Sequence, residues 1–169
     1  KLSNLPSQTI KELRQGEIFI EGEVNTLKNN KNKLKELILK GAAFHQNSCS
    51  GTFKVLGQYE NYQNLINFIK TSKYDESTQK IQFTLSHFLL PFDMLLMFKI
   101  PRIKGPGVHQ FIFESGFLKS LTGNIFIKST NNANLPCFIS LNIYWLGAPS
   151  PIPDFIFSFF SKKLLHIAI

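Results

Sequence analysis

The sequence lacks the local signatures of most chemistry. It has no CxxC pair and no HxH, HxxxH or HExxH motif, so metal ligation has no local support. No GxSxG elbow is present, and Ser50-Gly51 and Ser115-Gly116 read as turns. No GxxxxGK[ST] or GxGxxG loop occurs either. Gly105-Pro106-Gly107 reads as a turn, because Pro106 lacks the N–H that a phosphate loop needs. Cysteine is scarce. Cys49 and Cys137 are read as two separate small apolar side chains, a disulfide requiring that they meet in space. Acids are few, 11 against 19 Lys and Arg. Asp75 and Glu76 are adjacent and so fall on opposite faces of a strand, while Asp93 and Glu114 sit in or near strands; no paired-carboxylate site follows. No stretch reaches the roughly 18–20 apolar residues that a helix needs to span a bilayer. The longest apolar run, Phe88–Ile100, is broken by Pro91, Asp93 and Lys99.

What is present is aromatic and apolar bulk. Of 169 residues, 43% are hydrophobic and 17 are Phe, against one Trp. That is one domain with a substantial core, and Phe can fill a curved sheet or line a pocket without adding polar groups. The net charge of +8 permits contact with nucleic acid, anionic lipid or an acidic partner. Its densest run, Lys28, Lys31, Lys33 and Lys35 among Asn29, Asn30 and Asn32, reads as a solvated loop. The chain starts at Lys1 without Met and ends on Ile167-Ala168-Ile169, from which a processed form and a helix running past the end are expected. The compartment stays open: a soluble protein, periplasmic, secreted or cytoplasmic.

Periodicity divides the chain. A short helix is expected over 6–15, stopped by Gly16 and capped by Ser7 or Thr9. A strand follows over 17–25, a polar loop over 26–34, and a second strand over 35–46. Phe53, Leu56, Tyr59 and Tyr62 recur every third residue, which predicts two short helices broken near 57–61. Period two then takes over. Ile81, Phe83 and Leu85 alternate with polar residues, and Met94, Leu96 and Phe98 do the same. Phe111 with Phe113, Ile125 with Ile127, and Leu141, Ile143 and Trp145 continue the series. Pro153 and Asp154 open a final amphipathic helix bearing Phe155 and Phe159. The order predicts an α+β domain in which a curved antiparallel sheet wraps a long C-terminal helix.

Phe53-Lys54-Val55-Leu56-Gly57-Gln58-Tyr59-Glu60-Asn61-Tyr62 resembles the helix-breaking signature of the START-like superfamily (SRPBCC; polyketide cyclase/dehydrase and coenzyme Q-binding proteins). Gly123-Asn124-Ile125 and Pro151-Ile152-Pro153 resemble its later landmarks. Two departures stand out: Gln58 replaces an acidic residue, and Asn67 lies where a proline is common. The resemblance covers roughly 35–169 and implies a helix-grip, Bet v 1-like fold with a hydrophobic cavity. Residues 1–34 are then an N-terminal helix, strand and loop extension of a single domain. Fold alone does not choose among the activities of such proteins.

The function expected is binding or transport of a hydrophobic small molecule (a lipid, isoprenoid or quinone), with transient membrane contact, no cofactor and no metal. The wall would comprise Phe53, Leu56, Tyr59, Phe83, Leu85, Met94, Leu96, Phe98, His109, Phe111, Phe113, Ile125, Ile127, Leu141, Ile143, Trp145, Phe155 and Phe159. No catalytic residue is assigned. A cyclase or dehydratase would need polar groups converging in the cavity, for which Tyr59, His109 and Tyr144 are the candidates. A protein-interaction module would use the basic surface of Lys99, Arg102 and Lys104. Nucleic acid is not expected, because the aromatics follow the apolar parity rather than an exposed basic face.

Overall fold

The computed structural model describes residues 6–29, 32–45, 48–88, 92–116, 118–134 and 136–148. Helix α1 spans Ser7–Arg14 and strands β1 and β2 span Phe19–Asn29 and Asn32–His45. Helix α2, Cys49–Gly57, a 3-10 turn at Tyr59–Asn61 and helix α3, Tyr62–Leu65, come next. Strands β3 (Ile69–Asp75), β4 (Lys80–Leu85), β5 (Met94–Lys99), β6 (Gly107–Ser115), β7 (Thr122–Ser129) and β8 (Cys137–Gly147) complete the described elements. The expected C-terminal helix, with Phe155 and Phe159, lies outside the described residues.

The described strands form one antiparallel sheet of eight, in the order β1-β2-β8-β7-β6-β5-β4-β3. Six consecutive strands, β3 to β8, pair as a meander, as the turn signals predict. β8 then pairs with β2, and β1 adds the outermost strand. Register sorts the side chains by face. Leu37 pairs with Trp145, Leu39 with Ile143, Ile125 with Leu141 and Ile127 with Ile139, so one face collects the apolar parity. This inner face carries the main core. On the outer face a smaller cluster of Leu13, Ala42 and Phe138, with Phe19, Phe44 and Phe126 around it, is covered by α1. Ala42 and Phe138 are thus buried on the even parity, which explains the pair Ala42-Ala43 in β2.

Local chemistry sets the ends. α1 begins at Pro6 without a side-chain cap, so the expected Ser7 or Thr9 cap is not made. It closes where the N–H groups of Gly16 and Glu17 bond back to the carbonyls of Leu13 and Glu12. Ser48 caps α2 by accepting from the N–H of Gly51. Asp75 organises the β3–β4 turn by accepting from Ser77 and Thr78, which holds its carboxyl below the ordinary range.

Two expectations are corrected. Residues 26–34 are not simply a polar loop: β1 and β2 pair as far as Lys28 with Lys33 and Asn29 with Asn32. Backbone hydrogen bonds extend the ladder past the last apolar alternation, so the polar side chains concealed a strand. Cys49 and Cys137 are not separate but joined in a disulfide. Ser129 pairs with Cys137 at the start of β8, where the N-terminus of α2 comes to meet it. That proximity arises from sheet order and has no trace in local sequence.

Candidate functional site

The inner face has two parts. Under the helical pair it is tightly packed and polar groups are fully used. Tyr59 is buried, and its hydroxyl donates to the carbonyl of Pro101 at 2.9 Å and accepts from the N–H of Ile103 at 3.3 Å. Burial, with Tyr62 acting the same way, pushes its phenol well above the ordinary value, so it remains a neutral donor. Tyr62 donates to the carbonyl of Leu56, and Tyr74 to that of Ile100. A Cβ on Gly57 would collide with the backbone oxygen of Ile103, so only glycine lets α2 approach the β5–β6 connection this closely.

Arg102 ties these segments together. Its guanidinium donates to Glu60 at 2.6 Å, to Glu76 at 2.8 Å and to the carbonyl of Gly57 at 2.6 Å. It also lies 4.5 Å from the ring centroid of Tyr74. The hydrogen bonds from Arg102 hold the Glu60 carboxyl below its ordinary range. Lys104 lies 3.8 Å from Glu76. The basic surface expected around Arg102 and Lys104 is therefore a mixed-sign clasp, its charges matched by Glu60 and Glu76. The acid that serves this turn is Glu60, after the first tyrosine, and not a residue at position 58. The outer strand edge is covered as well: Gln63 accepts from the N–H of Ser72, and the Ser72 hydroxyl donates to the carbonyl of Tyr59.

From that clasp a chain of rings crosses the sheet. Tyr59 lies 4.9 Å from Tyr74 and 5.9 Å from Tyr62, and Tyr62 lies 5.8 Å from Phe83. Phe83 meets Phe98 at 5.3 Å, and Phe98 stacks on Phe113 at 4.8 Å. Phe111 sits 6.2 Å from each of Phe98 and Phe113. The ring of Phe111 lies over Gly123, its cross-strand partner, where any Cβ would enter the ring. This is the physical reason for a glycine at the head of β7.

The wall residues expected from the sequence share this face. Phe83, Leu85, Met94, Leu96, Ile127, Leu141, Trp145 and Tyr59 are buried. Phe53, Leu56, Phe98, Phe111, Phe113, Ile125 and Ile143 pack against the core while remaining partly exposed. Trp145 is anchored by its indole N–H, which donates to the carbonyl of Lys119. His109 is partly buried and hydrogen-bonded through Nε2 to the carbonyl of Gly105 at 2.9 Å. Sequence reasoning passed over Tyr74 and the acidic partners of Arg102, which come from distant segments.

The polar candidates for catalysis do not converge. Tyr144 is exposed on the outer face, the opposite side of β8 from Ile143 and Trp145. The Tyr59 hydroxyl is committed to the backbone at 101–103. Among the described residues no group of three His, Cys, Asp or Glu side chains is placed to hold a metal ion, and every buried side-chain polar atom has a partner. No described helix is long and apolar enough to cross a membrane.

No family model matches the chain, and no curated protein does. Solved structures do. A START superfamily protein from Mycobacterium smegmatis superposes with a TM-score of 0.58 at 7% identity, covering 77% of this chain and 90% of its own. Ara h 8.0201 gives 0.56 at 14% identity, over 90% of this chain and 93% of its own. The chain has a START-like fold. The di-domain ARO/CYC StfQ from the steffimycin biosynthetic pathway gives 0.57 at 9% identity over 94% of this chain, which spans 51% of that two-domain protein. At these identities the likeness is one of START-like architecture.

Proposed function

We propose that this START-like chain binds or carries a hydrophobic small molecule, a lipid, isoprenoid or quinone, against the inner face of its sheet. The observation that carries the reading is the row Phe98, Phe111, Phe113, Ile125 and Ile143. These side chains follow the inward parity yet stay partly exposed, and none of them carries a polar atom. Apolar side chains with few polar neighbours suit a guest recognised by shape and desolvation. Transient contact with a membrane fits the reading, since an apolar guest has to enter from and leave to an apolar phase. We read residues 1–34 as an extension that adds α1 and β1 to a helix-grip domain of 35–169. The buried disulfide favours an oxidising compartment among those the sequence left open.

Native mass spectrometry and solvent extraction of the purified protein test the reading, followed by displacement of an environment-sensitive dye by the extracted species. A bound apolar guest that competes with the dye is expected. A ligand-free protein that takes up no dye would sink it. The cyclase reading draws on StfQ, but the exposure of Tyr144 on the outer face and the commitment of the Tyr59 hydroxyl to the backbone weigh against it.

A further inference from the structure

We infer that the guest is gripped by a hydroxyl: His109 sets a hydrogen-bond acceptor on the inner face, for an apolar molecule that ends in a donor. The inference rests on the reading that this face holds a guest, and it narrows the class of that guest. Strand β6 places His109 on the inward parity, where its cross-strand row continues as Ile125 and Leu141. The neighbouring row is Phe111, Gly123 and Ile143. Among these positions His109 alone carries polar side-chain atoms, and it is partly buried. Elsewhere on the face the polar side chains spend their hydrogens at home. The hydroxyls of Tyr59, Tyr62 and Tyr74 and the indole of Trp145 all donate to backbone carbonyls.

The backbone bond of His109 decides what its other nitrogen can do. A carbonyl oxygen only accepts, so Nε2, 2.9 Å from the oxygen of Gly105, carries the ring hydrogen. The neutral imidazole has one N–H, which leaves Nδ1 as a bare lone pair. His109 has no hydrogen-bond partner besides Gly105. Among the described residues every buried side-chain polar atom has a partner, so Nδ1, which has none, is not sealed in. The connection that carries Gly105 is itself pinned, by Arg102 donating to the carbonyl of Gly57 and by the close approach of Gly57 to Ile103. The ring is therefore held in one tautomer before any guest arrives. A lone acceptor among apolar walls selects by the cost of leaving it unpaired. A hydroxyl would donate to Nδ1, whereas a quinone, an ether or an ester would set one lone pair against another. An alcohol, a sterol or a quinol thus fits this face better than a quinone.

The test is displacement of the environment-sensitive dye by dodecanol and by its isomer methyl undecyl ether, which accepts but cannot donate. The ether leaves water more readily, so a preference for the alcohol cannot come from hydrophobicity. Dodecanol should compete at about tenfold lower concentration than the ether. His109→Phe should remove that preference and leave the isomers within about twofold of each other. A second measurement needs no variant: in imidazole nitrogen NMR of the parent chain, the Nδ1 resonance of His109 should move on adding dodecanol and stay in place with the ether. Equal competition by the two isomers in the parent chain overturns the inference while leaving the carrier reading intact. So does a preference that survives in His109→Phe, or an Nδ1 that carries the hydrogen in the free protein. Displacement by neither isomer overturns the carrier reading and this inference with it.

Discussion

Under α2 and α3 the inner face ends on Tyr59, Tyr62 and Tyr74, each hydroxyl bonded to a backbone carbonyl. Farther along the same face, β5 and β6 end on Phe98, Phe111 and Phe113, which have no polar atom to fix and keep part of their surface uncovered. The first region is held by direction, since a hydroxyl must meet its acceptor within narrow limits of distance and angle. The second is held by area alone, which is tolerant of what fills it. A domain that has to keep its shape while accommodating a guest benefits from separating these two kinds of packing.

The contrast can be broken from either side. Tyr59→Ala should have the largest effect, about 3–5 kcal/mol, because it opens a cavity and leaves the Ile103 N–H without its acceptor; thermal unfolding should shift down by about 10 °C. Replacing both Cys49 and Cys137 by Ala should cost about 2–4 kcal/mol in denaturant unfolding, through the freed chain between them. Phe111→Ala with Phe113→Ala should cost less, under about 2 kcal/mol per ring since each is partly exposed, while dye affinity falls about tenfold or more. The reverse pattern, a stability loss as large as that of Tyr59→Ala with unaltered dye binding, would erase the distinction between the regions.

The smallest effect concerns acid. The Glu60 carboxyl is held below its ordinary value of 4.5 by Arg102. A group whose folded value is depressed contributes stability that is present above its unfolded value and is lost as pH falls through the folded one. The contribution of Glu60 is therefore complete above about pH 4.5 and disappears below it. Glu60→Gln should destabilise the protein at pH 7 by under about 1 kcal/mol, as suits a largely exposed pair, and should flatten the acid limb of a stability profile read by chemical denaturation.

Much of the sheet was readable from period two alone, because inward parity in β4 to β8 follows directly from alternation at Phe83, Leu96, Phe111, Ile125 and Ile143. The helical break near 57–61 was readable from three-residue spacing. What escaped has a common physical origin. The disulfide and the Arg102 clasp each join residues that only the sheet order brings together. The β1–β2 ladder beyond Asn25 and Glu36 is held by main-chain bonds, which leave no hydrophobic pattern. Tyr144 has the size and hydroxyl of a site residue, yet strand parity turns it to the outer face.

The Cys49–Cys137 bridge also governs what a cut in the chain can do. The two sulfurs are 88 residues apart and fasten α2 to β8, so every peptide bond from β3 to β7 lies inside a covalent ring. Cleavage beside the protruding Phe88 would linearise that ring without releasing either piece. The nicked molecule should migrate intact on a denaturing gel until reductant is added, then separate into two bands.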